Sequence, residues 1–318
     1  MTTVALTGAT GFIGRHLLAT LPRRGVKVRV LLRRPTDLPP EASGALVGDL
    51  LAPRNMAQAL RDVHAVIHSA GIAHAPSGAP DDDFRAINTE ATVALARAAE
   101  RAGVRRFVFL SSVRAQAGPS APGTLDEEAE PQPTDAYGRS KLEAERGLAA
   151  LGLDWVALRP VLVYGPGVKG NMARLLDLAR TPYPLPLGAL SARRSLLSVQ
   201  NLAEAVLAVL GAPGPLRRPF LVADPDPVTV PEMIAALREG LGRRPGLLPV
   251  PPALLGFMAR SLRRTDAFDR LNAPLVASPA ALTRLGWRPP VPTTRAGLAE
   301  LARSATRPAE PAGRAPAS

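Results

Sequence analysis

The chain has 318 residues, 46% of them hydrophobic, which suits one large domain or two intimate ones, and no apolar run reaches the length of a membrane span. It has no cysteine, which excludes disulfides, thiol catalysis and cysteine metal sites, and its four histidines, His16, His64, His68 and His74, show no zinc spacing. The net charge is +12, but only Lys27, Lys141 and Lys169 among 39 basic residues are lysines, the arginines are scattered and aromatics make up 4%, which argues against a nucleic-acid face and leaves an attraction for anionic ligands.

Val4-Ala5-Leu6 is an apolar run bounded by glycine, the pattern of a buried strand. A strand this early leaves no room for a signal peptide, so a cytoplasmic location is expected. Thr7-Gly8-Ala9-Thr10-Gly11-Phe12-Ile13-Gly14 follows, and then Arg15 to Leu21 with apolar residues at helical spacing. Strand, glycine turn and helix are the context of a dinucleotide-binding loop, here spaced GxxGxxG. Among Gly8, Gly11 and Gly14, one glycine permits a backbone conformation closed to other residues. One lets a pyrophosphate approach the main chain, and one lets the helix pack tightly on the strand. The phosphates then meet unpaired N–H groups at the positive end of a helix.

Val26 to Leu32 alternates and is β-branched, a second strand. It ends at Arg33-Arg34, where a dinucleotide fold discriminates its cofactors: an acid there binds a ribose hydroxyl, whereas arginine suits a 2′-phosphate. Arginine at this place favours NADP(H) over NAD(H). Residues 45–50 read as a third strand ending in Asp49, which either accepts from an adenine amino group or caps a helix starting near Pro53. Ala65 to His68 is a fourth strand running into Ser69-Ala70-Gly71, small residues that let a ligand come close. His68 reads as structural. A loop over 75–83 leads to a helix from Phe84 to Ala102 that contains Asn88.

Val104 to Leu110 is a fifth strand, delivering Ser111-Ser112 to the same edge. In the loop beyond it, Asp126, Glu127, Glu128 and Glu130 read as solvated. A helix begins after Asp135 and carries Tyr137 and Lys141, four apart and so on one face. Trp155 to Leu158 is a sixth strand. Short strands follow at 195–199 and 220–223, with helices at 202–210 and over much of 231–265. Helix 253–264 is amphipathic and basic and reads as a lid over a ligand cleft, with a membrane surface as the other partner for such a face. Alternating strands and helices over the first 165 residues imply a doubly wound parallel sheet. The expected dinucleotide-binding domain comprises 1–165 and 191–226, a smaller, mainly helical substrate domain 166–190 and 227–302, and a disordered tail 303–318.

Tyrosine is a poor acid or base at neutral pH. A lysine ammonium one turn away favours phenolate, and the pair becomes a general acid/base. A serine hydroxyl can hold a substrate oxygen in line with the phenol. Beside a nicotinamide, this set interconverts an alcohol and a ketone.

These motifs, with Gly48-Asp49-Leu50, His68-Ser69-Ala70-Gly71 and Arg159-Pro160 to Gly165-Pro166, resemble the extended short-chain dehydrogenase/reductase family, the NAD-dependent epimerase/dehydratase group that acts on nucleotide sugars. The resemblance runs from residue 2 to about 302. It implies that Tyr137 is the acid/base, that Lys141 also holds the nicotinamide ribose, and that Ser112, 25 residues before Tyr137, orients the sugar oxygen with Ser111 beside it. It further implies cofactor contacts from Phe12, Ile13, Arg33, Asp49, Leu50, Ala70 and Pro160, and substrate contacts from Asn171, Arg194 and Arg270. No metal is implied, and a homodimer is a family option. Val113-Arg114 stands where sugar dehydratases of the family carry an acidic pair, so no dehydratase activity is expected. The pattern looks closest to 4-ketoreductases, with a UDP-hexose 4-epimerase as the alternative and a non-sugar ketone reductase or a non-catalytic dinucleotide-binding protein behind it.

Overall fold

The computed structural model describes residues 2–73, 81–261, 265, 268 and 272–306. Seven strands form the central sheet: β1 (Thr3–Thr7), β2 (Lys27–Leu32), β3 (Ala42–Leu46), β4 (Ala65–His68), β5 (Arg106–Leu110), β6 (Trp155–Pro160) and β7 (Arg218–Val222). Their order is β3-β2-β1-β4-β5-β6-β7, and every pairing is parallel. Val4, Ala5 and Leu6 are wholly buried, because helices cover both faces of a parallel sheet. Each fully buried Leu or Val contributes roughly 1.5–3 kcal/mol.

The helices Phe12–Thr20 and Val199–Gly211 cover one face, through Leu17, Leu18, Leu202, Val206 and Val209. Ala91–Arg101 and Ala136–Ala149 cover the other, through Leu95, Ala99, Ala144 and Leu148. A third apolar cluster joins Tyr164 to Met172, Ile234, Leu237, Leu298 and Leu301, drawn largely from the helices Asn171–Arg180, Val230–Gly240 and Thr294–Ser304. No helix among the described residues is long and apolar enough to cross a membrane.

Several boundaries differ from expectation, each for a local reason. The third strand runs over 42–46 rather than 45–50. The Val47 and Gly48 amides both turn to the Leu32 carbonyl and Gly48 takes φ +75°, which ends the ladder. The helix expected from Phe84 starts at Asp81, and its stretch Arg85–Glu90 is a π-helix. Glu127 is not simply solvated: its Oε1 accepts from the Leu221 amide at 2.8 Å. Arg303 and Ser304, expected in the tail, belong to the last helix. His74, 75–80 of the expected loop, 262–264 of the basic helix and everything from 307 lie outside the described residues.

Candidate active site

The sheet order reverses between β1 and β4, and open α/β sheets bind ligands in the crevice above such a point. The glycine loop stands there. Gly8 has φ +70°, and a Cβ on it would lie 2.6 Å from the Ala70 amide nitrogen, so the ends of β1 and β4 touch. A Cβ on Gly14 would lie 2.0 Å from the Gly8 carbonyl, which keeps helix Phe12–Thr20 close beneath the turn. Gly11 is the N-cap of that helix and makes no side-chain cap bond, so the first N–H groups await an acceptor. Phe12 and Ile13 are the first helical residues. A bare backbone cradle at a positive helix end fits a pyrophosphate. His16 Nε2 reaches the Pro166 carbonyl at 2.9 Å, tying the loop's helix to the Gly165-Pro166 segment.

Ser112 lies just past β5 and caps a short 3₁₀ turn, Val113–Ala115. Asp135 caps the helix that carries Tyr137 and Lys141, its Oδ1 accepting from the Gly138 amide at 2.7 Å. The Ser112 hydroxyl stands close enough to the Tyr137 phenol to pull its pKa down. Lys141 Nζ donates to the Leu110 carbonyl at 3.0 Å, 4.5 Å from the Phe109 ring centroid and 6.0 Å from that of Tyr137. The three residues expected to share a site therefore meet at the ends of β5 and the helix. Burial pushes the Lys141 ammonium down to about 8, against an upward pull from Glu145. The expected lowering of the phenol is not found. Burial is the largest influence on Tyr137 and raises it, opposed by the Ser112 hydroxyl and by Arg114. The lysine faces the Leu110 carbonyl instead of the phenol oxygen.

Buried polar groups hold this arrangement from below. The Ala70 amide donates to Thr7 Oγ1 at 3.2 Å, and that oxygen lies 2.7 Å from His68 Nδ1. Thr92 Oγ1 spends its own proton on the Asn88 carbonyl at 2.7 Å, so it accepts from His68 Nε2 at 2.9 Å, which leaves Nδ1 to accept from Thr7. Burial, helped by Lys141, pushes this imidazole down to about 3, so it is neutral and structural. Asn88, fully buried in the π-helix, clamps both backbone groups of Ile72 and donates to Ser140 Oγ at 3.1 Å. A polar residue in an alanine-rich helix was the available signal for its role. Ser111 departs from expectation. Its hydroxyl donates to Glu145 Oε1 at 2.5 Å, away from Ser112, and Glu145 pairs with Arg159 from β6 at 2.5 Å. Glu145 sits four residues beyond Lys141, a spacing that could have pointed to it.

The outlying expectations divide. Arg33 and Arg34 are exposed just past β2, and neither guanidinium has a partner among the described residues. Asp49 is exposed, but it caps no helix: its Oδ1 accepts from the Leu51 amide at 2.9 Å, and the next helix begins at Met56 after Asn55. Leu50 packs against the core beneath it. Pro160 ends β6 opposite Val222. Asn171 is exposed at the first position of its helix. Arg194 spends Nη1 and Nη2 on the carbonyls of Ala273 and Pro119, at 2.9 and 3.3 Å. Arg270 lies outside the described residues. No cluster of three His, Asp or Glu among the described residues could hold a metal.

The NAD dependent epimerase/dehydratase family matches residues 4–222. A UDP-glucose 4-epimerase of Vibrio cholerae is 35% identical over 303 residues, covering 90% of either chain. A ceramide reductase of Caulobacter vibrioides is 30% identical over 266 residues, 79% of this chain and 75% of that one. Among solved structures, MoeE5 in complex with UDP-glucose and NAD superposes with a TM-score of 0.71 at 26% identity, covering 96% of this chain and 100% of that one. On the family match and the Vibrio relative, this chain belongs to the NAD dependent epimerase/dehydratase family.

Proposed function

We propose that the chain transfers hydride at the 4-position of a nucleotide sugar, reducing a 4-keto group with NADPH or NADH, or oxidising the 4-hydroxyl in reverse. The observation that carries this reading is the meeting of Tyr137, Ser112 and Lys141 at the end of β5, one strand over from the sheet's switch point, with the Ser112 hydroxyl acting on the phenol and the Lys141 ammonium 6.0 Å from its ring centroid. Tyr137 donates its proton to the substrate oxygen, Ser112 holds that oxygen in line, and Lys141 places positive charge beside both. Gly8, Gly11 and Gly14 would hold the dinucleotide, and a nicotinamide there supplies or accepts the hydride. Burial keeps the phenol protonated at neutral pH, the state in which it can protonate a developing alkoxide. No acid follows Ser112, so water elimination is not part of the reading.

The Vibrio relative favours a second reading, 4-epimerisation, in which the hydride leaves and returns to the opposite face. One experiment separates them. The purified protein is given UDP-4-keto sugars with reduced cofactor, and separately UDP-glucose with none added. Consumption of reduced cofactor in step with product supports reduction, and UDP-galactose formed without added cofactor supports epimerisation. Tyr137→Phe is expected to lower either turnover by about 10²- to 10⁴-fold with dinucleotide binding kept. If neither reaction occurs while a long-chain keto lipid consumes cofactor, the nucleotide-sugar reading fails.

A further inference from the structure

Arg114 follows Ser112 by two residues and takes part in three contacts, which a fourth, between Asp135 and Gly138, closes. Its amide donates to Ser112 Oγ at 3.1 Å. Its guanidinium pairs with Asp135 Oδ2. The other oxygen of Asp135 caps the Tyr137 helix through the Gly138 amide, at 2.7 Å. The Arg114 carbonyl packs on Gly138 so closely that a Cβ there would lie 2.3 Å from it. The serine turn and the start of the tyrosine helix are thus tied by backbone and side chain together. The Arg114 side chain is 22% exposed, which leaves the ion pair partly shielded from water.

We propose that Arg114 is a positioning residue: through Asp135 it locks the serine turn to the helix of Tyr137, fixing the Ser112 hydroxyl against the phenol and setting positive charge beside it. The role rests on the proposed use of Tyr137 as proton donor. Two charged groups act on that phenol from the elements around it, and a third lies nearby. Arg114 from the serine turn stabilises the phenolate, Asp135 from the helix cap opposes it, and the Lys141 ammonium stands 6.0 Å from the ring centroid. The Ser112 hydroxyl also favours the phenolate, and the Phe84 ring centroid lies 6.2 Å away with no charge. Arg194 lies near Arg114: burial is the main cause that lowers its basicity, and the Arg114 charge adds to it.

The test uses the full chain and needs no substrate. Stopped-flow pH jumps follow phenolate absorbance, with Tyr137→Phe as the blank for Tyr164 and Tyr183. Arg114→Met removes the cation and is expected to move the Tyr137 transition to higher pH. Asp135→Asn keeps a capping side chain but removes the anion, and is expected to move the transition to lower pH. Arg114→Lys keeps the charge without the fork and leaves the transition near its original place. Where hydride transfer is measurable, Arg114→Met and Asp135→Asn both lower kcat, by about ten- to a hundredfold, with dinucleotide Kd unchanged. An ion pair that only holds the fold would lower Tm in both variants and leave the phenol unmoved. Transitions that do not move, or that move the same way, overturn the proposal. Opposed shifts without any hydride transfer would sustain the tie and reject the assigned reaction.

Discussion

His68 is fixed from both ends of its ring, by Thr7 and by Thr92, one residue below the crevice. Fully buried among Phe107, Phe109 and the Lys141 ammonium, it stays neutral down to about pH 3. The unfolded chain would protonate the same ring near pH 6.5. Between those values the unfolded state binds more protons, so this residue makes stability rise with pH across that window and fall on acidification. His68→Asn removes the titration. We expect the variant to be less stable at pH 7.5, having lost a bridge between two hydroxyls. From pH 6.5 toward pH 4 its urea midpoint should fall less than that of the parent. Equal falls would mean that the imidazole takes up a proton in the folded state.

At the scale of elements, the glycine turn joins β1 to its helix by contact distances that leave no room for a methyl group. Gly14→Ala would set a Cβ against the Gly8 backbone, where no flexible side chain can yield. The helix must move off the strand, so a Tm loss of several degrees is expected, since about 1 kcal/mol shifts a domain of this class by roughly 2–4 °C. Dinucleotide affinity should fall with it, read by calorimetry. A variant with the parent's Tm and affinity would remove this turn from the site.

The turn was legible in the sequence because strand, glycines and helix are contiguous there. So was the helix of Tyr137 and Lys141, whose spacing needs no tertiary contact. Ser111 and Ser112 show what was lost. Adjacent residues in extended backbone point to opposite sides. One hydroxyl reaches Tyr137 and the other the Glu145–Arg159 pair, and only the packed helix reveals which is which. The π-helix around Asn88 was hidden for a similar reason. Its extra residue is stabilised by bonds to Ile72 and Ser140, distant in sequence.

For the whole molecule, a net charge of +12 attracts every anionic ligand, and that attraction is screened at physiological ionic strength beyond about 8 Å. The field alone would therefore favour NADP over NAD only weakly, through one extra phosphate. A specific preference needs a local donor, and the exposed pair Arg33-Arg34 past β2 is placed for one. Replacing both by alanine leaves most of the net charge in place, so the global field is nearly kept while the local donors are gone. A charge-assisted hydrogen bond contributes about 1.5–3 kcal/mol. NADP affinity is then expected to drop by about ten- to a hundredfold, with NAD affinity changed little. Titrations at two salt concentrations check the cause. A loss of NADP affinity that persists at high salt marks a direct contact, while equal losses for both dinucleotides that vanish at high salt would return the preference to the field of the whole protein.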